Sequence, residues 1–390
     1  MPDSDDQITI RTIQRMADVS AADWDACAGA DNPFVGHAFL SVLEESGSAD
    51  AEEGWLPQHL IVRDAAGGIV GCAPLYVKSH SYGEYVFDHG WADAWERAGG
   101  EYYPKLLCGV PFSPVPGPRL LVRPGPDAAR IERALGAAMV EVGRQIGVSS
   151  VHINFLPEDQ WRRLGEMGLL QRTGQQFHWE NRGYESFDGF LESLNSRKRK
   201  AIRKERREVV DAGVTVRALS GGEIEKRHWD AFWHFYRNTS DRKWGQAYLT
   251  RDFFTRISET MADKVVLVVA EAGNQIVAGA LNLRGTDTLY GRNWGCSAHY
   301  PFLHFEACYY QAIDYAIRHG LKRVEAGAQG QHKIQRGYLP VPTYSAHWIE
   351  DARFRRAVAD FLERERAAVA AGIEELTEFS PFRREDGSAG

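Results

Sequence analysis

The 390-residue sequence lacks the features that identify a secreted, membrane-spanning or metal-binding protein. Five cysteines without a CxxC pair argue against a disulfide framework or a structural zinc site, and they favour a reduced intracellular environment. No stretch approaches the roughly 18 uninterrupted apolar residues of a membrane-spanning helix. The acidic N-terminus also lacks the apolar core of a signal peptide. We therefore expect a cytoplasmic protein with no transmembrane segment and no metal site.

Signatures of nucleotide-binding proteins and serine hydrolases are missing as well. The sequence contains neither a GxxxxGK[ST] phosphate loop nor a GxSxG nucleophile turn. Its net charge of -7 provides no overall attraction to nucleic acids or membranes, so such binding would depend on a local basic patch. Hydrophobic residues, in contrast, are plentiful and make up 44% of the chain. A chain of this length and composition is expected to form about two domains with sizeable cores.

The stretch from Tyr290 to Tyr338 is the one around which the chain is organised. It predicts a strand, a helix that begins near Pro301, a second strand and a glycine-rich loop with many polar side chains. From Leu303 to His319, apolar residues recur every three or four positions, which is typical of one buried helix face. A strand, a helix and a strand in succession form a crossover unit, whose loops lie where open sheets bind ligands. We therefore expect the chemistry in this region.

Two sequence patterns repeat between the halves of the chain. The hairpin pattern that begins at Asp64 recurs 207 residues later at Glu271, and the strand FHWEN has a counterpart in AHWIE. Each half then consists of a helical opening, a hairpin, a third strand, a crossover helix, a strand and a closing strand. We predict two similar domains of the α+β class with mixed sheets. The expected boundaries are 1–185 for the first domain, 186–212 for a basic linker helix, 213–372 for the second domain and 373–390 for a tail.

This order of elements resembles the Gcn5-related N-acyltransferase (GNAT) fold, in which two neighbouring strands separate and the acyl donor enters between them. Longer motifs that run through the chain include QFHWENRGY, SRKRKAIRKER, GRNWG and EAGAQGQHKIQRGYLP. Together these motifs resemble the FemAB-like family of peptidoglycan biosynthesis or recognition. The resemblance implies two tandem GNAT-like domains, each a mixed sheet flanked by helices. It also implies descent from acyltransferases, since the Fem peptidyltransferases move amino acids from aminoacyl-tRNA onto a cell-wall precursor.

The expected donor follows from a difference between this sequence and acyl-CoA enzymes of the GNAT fold at the start of the crossover helix. Acyl-CoA enzymes of the GNAT fold begin this helix with a glycine-containing turn whose N–H groups bind the pyrophosphate. The corresponding sequence here is GCSAHYPF, in which Pro301 removes one N–H group. We therefore expect no tightly bound cofactor and aminoacyl-tRNA as the donor, with acyl-CoA held in an atypical way as the alternative.

A basic segment offers a contact for such a donor. Eight cations lie between Arg197 and Arg207, and each could neutralise a phosphate. The predicted nucleic-acid contacts are Lys198, Arg199, Arg203 and Lys204. The alternative is a solvated linker helix in which Glu205 and Glu208 pair with neighbouring cations.

The candidates for catalysis are His304, Glu306 and His332, because transfer to an amine requires groups that accept and return protons. Since His304 and Glu306 are two positions apart on a helix, their side chains point about 200° from one another, so at most one faces the cleft. Five further residues of this region are predicted to bind substrate, namely Arg292, Trp294, Gln329, Lys333 and Arg336. Capping or packing of His304 and a solvated loop at 329–336 are the structural alternatives.

The first domain contains a second concentration of polar and aromatic residues after its hairpin. The resemblance to Fem proteins implies that this region holds the acceptor, and the predicted contacts are Lys78, His80, Tyr82, Glu84, Asp88 and Trp91. Packing roles are the alternative for Tyr82 and Trp91. We also expect Arg242, Lys243 and Trp244, together with Tyr248, to form a mobile lid over the site in the second domain.

The sequence thus predicts an acyl or aminoacyl transferase that acts on an amine, for example that of a peptidoglycan precursor or a peptide, with aminoacyl-tRNA as the donor. Two alternatives stay open at this point. One is a binding protein that has kept the fold without catalysis and recognises a peptidoglycan fragment or a peptide. The other is an acyl-CoA-dependent N-acyltransferase with an atypical cofactor site.

Overall fold

The computed structural model describes residues 7–243 and 247–383, except for the side chains of residues 240–243. The chain forms two compact units, each assembled from three of its segments. Unit 1 comprises Met1–Gly174, Tyr248–Thr260 and Pro342–Ala370. Unit 2 comprises Gln175–Ala247, Met261–Val341 and Ala371–Gly390.

The strands and α-helices of the described residues are as follows. The strands are β1 (Thr9–Ile13), β2 (Trp55–Pro57), β3 (His59–Arg63), β4 (Ile69–Ala73), β5 (Leu75–Lys78), β6 (Lys105–Cys108), β7 (Leu121–Val122), β8 (Ser150–Leu156), β9 (Leu170–Glu180), β10 (Val214–Ser220), β11 (Val265–Ala272), β12 (Gln275–Arg284), β13 (Thr288–Cys296), β14 (Arg323–Glu325) and β15 (Leu339–Ile349). The helices are α1 (Ala21–Ala28), α2 (His37–Glu45), α3 (His89–Arg97), α4 (Ala128–Ile146), α5 (Glu158–Glu166), α6 (Phe187–Ser193), α7 (Ser196–Asp211), α8 (Lys226–Lys243), α9 (Arg251–Thr260), α10 (Leu303–Phe305), α11 (Gln311–Arg318) and α12 (Ala352–Glu378).

Unit 1 contains two groups of paired strands. An antiparallel sheet has the order β1-β3-β4-β7, and β2, β5, β6, β8 and β15 form the second group. The predicted hairpin is formed by β3 and β4, but Pro74 separates β4 from β5, which pairs with β2 and β6 instead. Proline has no N–H to donate to a ladder, which explains the interruption. β6 and β8 are parallel, and α4 is the crossover between them.

Unit 2 is built on strands in the order β10-β11-β12-β13-β14-β9. The first four are antiparallel, whereas β13 and β14 are parallel and are joined through α10 and α11. α8 packs on β12 and β13. A Cβ at Gly295 would lie 2.4 Å from the carbonyl oxygen of Phe235, so only glycine lets this helix approach β13 so closely.

The closing strands of the two halves are exchanged between the units. β9 follows β8 along the chain, yet its residues His178 to Glu180 pair with β14 in unit 2. β15 follows β14 along the chain, yet its residues Tyr344 to Ile349 pair with β8 in unit 1. The structure therefore divides the chain differently from the expected continuous ranges of 1–185, 186–212, 213–372 and 373–390.

Two helices are less regular than their sequence patterns suggest. The basic segment is not one helix over 186–212, because Leu194 is extended and Asn195 begins a new helix by accepting the N–H of Lys198 at 3.0 Å. The crossover helix is interrupted by a π-helical turn at Glu306–Tyr310 between α10 and α11. Such turns insert an extra residue and change which side chains share a face.

Candidate active site

β13 pairs with β14 only over its first three residues. Their register runs from Thr288 opposite Arg323 to Tyr290 opposite Glu325, where β14 ends, whereas β13 continues to Cys296. This is the position at which the resemblance to the GNAT fold implies a gap between the two strands. A crevice at the carboxyl ends of strands is where open sheets bind ligands.

β13 is irregular at the point where it leaves β14. Asn293 pairs with Leu281 and Gly291 pairs with Asn282, so Arg292 is the extra residue of a bulge. Bulges change the direction of side chains and often lie beside active sites. Trp294, two residues further, has its ring 5.3 Å from that of His304 on α10.

Glu306 and His304 belong to different surroundings, as their spacing predicts. Glu306 is buried and accepts two hydrogen bonds from Arg206 of α7, both at 3.0 Å, and one from Gln311 at 2.8 Å. Both oxygens of the Glu306 carboxylate are therefore occupied by donors within unit 2. This arrangement favours a role in holding α7 on the crossover helix rather than a role as a base. An open cavity of about 590 Å³ lies beside this ion pair and is lined partly by Arg207 and Val210.

The exposed imidazole of His332 lies among aromatic rings of unit 2. Its ring lies 6.2 Å from that of His304 and 5.4 Å from that of Phe305. Its Nε2 lies 3.0 Å from the hydroxyl of Tyr309. The pKa of His332 is lowered by partial burial and by the cations of Arg336 and Lys333, so the ring is neutral near pH 7. An exposed neutral imidazole with one nitrogen held by a hydroxyl is suited to accepting a proton.

Gly330, two residues before His332, leaves room for the imidazole ring beside the backbone. Gly330 has a φ of 98°, and a Cβ there would lie 2.8 Å from Nδ1 of His332. Any larger residue would therefore be strained and would crowd the imidazole. The 3-10 turn Gln331–Arg336 begins at this glycine and ends at Gly337.

Lys333 and Arg336 are predicted substrate contacts, but both are buried and engaged within unit 2. The Lys333 ammonium donates to the carbonyl of Ala326 and, at 3.2 Å, to that of Gly327, and burial lowers its pKa to about 8. Arg336 contacts Glu205 and Tyr310. Both cations therefore fix the loop after β14 in place, whereas Gln329 is exposed to solvent.

The basic helix α7 has an exposed cationic surface. Arg203 pairs with Asp188 at 3.1 Å and Lys204 with Glu208 at 3.5 Å. Glu205, expected to neutralise neighbouring cations, is instead used by Arg336. Within the described part of the chain, five cations of α7 form no ion pair, namely Arg197, Lys198, Arg199, Lys200 and Arg207. Four of them, Arg197 to Lys200, lie in the first turns and oppose the helix dipole, an arrangement that a bound anion would relieve.

Two of the predicted acceptor residues of unit 1, Glu84 and Asp88, contact a buried lysine that the sequence analysis missed. Lys105 of β6 is fully buried and donates to Ser81 at 2.6 Å, to Glu84 at 2.9 Å and to Asp88. All three partners belong to the loop between β5 and α3. Lys105 begins β6 and is followed by Leu106, Leu107 and Cys108, all of them buried. A buried cation could have been suspected from this apolar strand only together with the acidic residues of the preceding loop.

Lys78 and Glu84 have pKa values moved in opposite directions by burial. Burial lowers the pKa of Lys78 to about 7, and its ammonium lies 3.5 Å from the ring centroid of Trp55. Burial raises the pKa of Glu84 to about 7, against the effect of Lys105. Asp88 differs, because Lys105 and His152 hold its pKa well below the usual value although burial alone would raise it. Charged groups so well buried act by fixing the loop rather than by touching a substrate directly.

The other predicted residues of this loop divide into exposed and packed ones. Tyr82 is 61% exposed, and its ring lies 5.2 Å from that of His80. Trp91 is buried, with the guanidinium of Arg172 5.0 Å from its ring. Trp91 therefore packs in the core of unit 1, while Tyr82 and His80 are accessible to a ligand.

A pair of buried histidines also escaped the sequence analysis. His152 of β8 and His347 of β15 lie opposite each other, with their Nδ1 atoms 2.7 Å apart. Each Nε2 contacts a serine hydroxyl, Ser150 at 2.8 Å and Ser345 at 3.0 Å. The pairing depends on the exchange of β15 into unit 1, which the sequence does not indicate.

The remaining predictions concern the lid, metal ions and the membrane. Trp244 and the side chains of Arg242 and Lys243 lie outside the described residues, while Tyr248 stacks on Phe112 at 5.0 Å in unit 1. The described segments hold no group of three or more His, Cys, Asp or Glu side chains arranged for a metal ion. Across residues 7–243 and 247–383, no helix has the length and apolar character needed to cross a bilayer.

Comparison with known proteins supplies the family. The sequence profile of the FemAB-like family, described as peptidoglycan biosynthesis/recognition, matches residues 15–384. The chain belongs to the FemAB-like family. A comparison with curated proteins gives no significant sequence match.

Solved structures resemble this FemAB-like protein in fold. FemX aligns with a TM-score of 0.55 at 12% identity, over 87% of this chain and 98% of FemX. A protein from Agrobacterium fabrum, described as the C-terminal domain of a lysylphosphatidylglycerol synthetase, aligns with a TM-score of 0.54 at 9% identity, over 88% of this chain and 95% of its own. A conserved protein from Bacteroides thetaiotaomicron gives 0.52 at 11% identity, over 88% of this chain and all of its own. The predicted fold of two tandem GNAT-like domains with mixed sheets is confirmed.

Proposed function

We propose that this FemAB-like protein transfers an acyl or aminoacyl group to an amine, and that His332 is the base. The observation that supports this role is the pairing of the exposed His332 with Tyr309 at 3.0 Å, in the loop that follows β14, beyond the end of its pairing with β13. Two neighbouring cations and partial burial keep the imidazole neutral. A neutral imidazole within reach of an ammonium is the usual means of generating an amine nucleophile near pH 7.

The reaction can be written with the groups of this cluster. Nε2–H of His332 donates to the hydroxyl of Tyr309, which leaves the lone pair of Nδ1 to accept a proton from the substrate nitrogen. As that proton leaves, the nitrogen lone pair forms a bond to the carbonyl carbon of the donor ester. The carbon–oxygen bond then breaks, and the leaving ribose oxygen takes the proton from the imidazolium. The additional proton of the original ammonium passes to solvent.

The proposed donor is an aminoacyl-tRNA, held by the exposed cations of α7. Lys198, Arg199, Arg203 and Lys204 belong to this helix, where Arg203 and Lys204 also pair with Asp188 and Glu208. Arg197, Lys200 and Arg207, which form no ion pair with the described residues, add to its positive potential. Phosphate contacts of this kind provide affinity that falls steeply with salt. Acyl-CoA remains the alternative donor, and the turn before α10, with Phe302 at a φ of 62°, would have to hold it without the usual glycines.

The proposed acceptor is the amine of a peptidoglycan precursor or peptide. The family description and the similarity to FemX support this choice. In unit 1, the loop that bears His80 and Tyr82 is fixed by the buried group of Lys105, Glu84 and Asp88. A loop fixed in this way presents its exposed aromatic rings at little entropic cost to binding.

The experiment that tests the proposal measures product formation with charged tRNA and with acetyl-CoA in parallel, using peptide amines and mass spectrometry. H332Q should reduce turnover about 10²-fold or more, which is the usual contribution of a general base. The matched control is H234Q, because His234 is an exposed histidine of α8 in the same unit. If H332Q and H234Q retain equal turnover, His332 is not the base.

A non-catalytic binding protein is the second candidate, favoured by one observation. Glu306, Lys333 and Arg336 are all saturated by partners within unit 2, which leaves His332 as the accessible titrating group of the loop. Saturable binding of a peptidoglycan fragment, without product from either donor, would support this candidate and reject the transferase.

A further inference from the structure

We propose that Glu205 and Arg336 are positioning residues, which link the basic helix α7 to the turn that carries His332. The inference deepens the proposed function, on which its kinetic readout rests. Neither residue contacts the proposed reaction directly. Together they fix the backbone from which His332 projects.

Arg336 uses its guanidinium to join three segments of unit 2. Nη2 donates to both oxygens of Glu205 at 2.9 Å, and Nε donates to the hydroxyl of Tyr310 at 2.9 Å. Nη1 donates to the carbonyl of His332 at 2.8 Å. The planar guanidinium also lies 3.5 Å from the ring centroid of Phe305. A lysine could keep the charge of Arg336 but not this set of directed bonds.

The bond to the carbonyl of His332 gives Arg336 direct influence on the base. The turn Gln331–Arg336 is a short 3-10 segment, so its position depends on contacts outside itself. One end is held at Gly337, where a Cβ would meet the ring of Phe190 at 3.0 Å. If Arg336 lost Glu205, the backbone of His332 would lose its anchor, although the turn could remain folded.

Glu205 connects this anchor to the cationic surface. It lies on α7 beside Arg206, which is paired with Glu306 of the π-helical turn. Two adjacent residues of α7 therefore form ion pairs with the crossover region and with the turn of His332. Lys198 lies about two helical turns before Glu205 on the same side of α7.

The test is hydrogen–deuterium exchange of the full-length protein combined with kinetics. E205Q keeps the size of the side chain and weakens its bond to Arg336, and we expect about tenfold faster exchange in residues 327–337. Turnover by E205Q should fall about tenfold, with KM for the donor changed less than twofold. E208Q is the matched control, because Glu208 pairs with Lys204 at the surface of the same helix. R336K provides a second variant, which should show the same faster exchange in 327–337.

The outcomes separate the two proposals. Exchange in 327–337 that is equal in wild type, E205Q and R336K would overturn the positioning role. If the wild type forms no product with either donor, the transferase proposal fails, while the exchange comparison still decides whether Glu205 and Arg336 hold this turn. Faster exchange in E208Q of the same size as in E205Q would also overturn the inference.

Discussion

Replacement of Lys105 by methionine should be the most destabilising single change in unit 1. K105M keeps the length of the side chain but removes the charge that lies between Glu84 and Asp88, both of them almost fully buried. Removing one partner of a buried ion pair typically lowers the free energy of unfolding by about 3–5 kcal/mol, because the remaining charge is left uncompensated. For a unit of this size, that change corresponds to a fall in Tm of roughly 6–20 °C.

The effect of K105M should also depend on pH with a definite sign. Without Lys105, the pKa of Asp88 in the folded state rises above its unfolded value, and that of Glu84, already raised, rises further, because burial disfavours the charged carboxylates. The loss of stability is therefore small at pH 4, where both groups can be protonated, and grows as the pH rises toward 8. At pH 8, both carboxylates must either ionise without a partner or hold their protons at a cost in free energy.

The assay is thermal unfolding followed by circular dichroism at pH 5 and pH 8. R133M is a suitable control, because Arg133 is exposed on α4 of the same unit and forms no ion pair with the described residues. K105M/D88N should recover part of the lost stability at pH 8, since it removes one of the two uncompensated charges. A Tm of K105M within about 2 °C of wild type at pH 8 would refute the reasoning.

Two further predictions concern protonation and salt. Burial lowers the pKa of His152 to about 3 and that of His347 well below its usual value, while the unfolded value is near 6.5. The unfolded state therefore binds more protons below pH 6.5, and the free energy of unfolding should decrease as the pH falls from 6.5 to 4. Replacement of His347 by glutamine should reduce that slope in urea titrations, and an unchanged slope would contradict the role of the pair. Neutralising Lys198, Arg199, Arg203 and Lys204 together should reduce the slope of log K against log salt for tRNA by about 3. An unchanged slope in a filter-binding series would show that tRNA binds elsewhere.

The sequence predicts much of the local structure because that structure depends on short-range patterns of apolar and polar residues. The continuous apolar run Leu60 to Val62 gives β3, and the turn at Asp64 gives its hairpin with β4. The spacing of His304 and Glu306 predicts that they face different surroundings, as the structure shows. These features depend on residues close together in the chain, whose periodicity is visible without a partner.

What the sequence does not show is which distant groups compensate buried charge. Arg336 resembles a solvent-exposed ligand contact, yet the carboxylate that pairs with it, Glu205, lies on α7, 131 positions earlier. Lys105 is hidden for the same reason, since its carboxylates lie 17 and 21 positions earlier. The sequence alone does not distinguish a solvated lysine or arginine from one that pairs with a buried carboxylate. The role of such a residue therefore depends on tertiary contacts.

The exchange of closing strands leads to a last prediction about autonomy. A fragment of residues 1–185 matches the domain expected from the sequence but lacks Pro342–Ala370, which the structure assigns to unit 1. That segment contributes Trp348 to one core of the unit, and Phe354, Val358 and Leu362 to another that includes Trp91.

Each of these side chains contributes about 1.5–3 kcal/mol when fully buried, so the fragment loses roughly 6–12 kcal/mol. This is comparable to the whole stability of a typical domain, about 5–15 kcal/mol. The fragment also lacks β15, so β8 loses a neighbouring strand and His152 loses its partner His347. Residues 1–185 alone should therefore show no cooperative thermal transition by circular dichroism, and added peptide 342–370 should restore one. A cooperative transition in the fragment alone would mean that β15 is not required for unit 1 to fold.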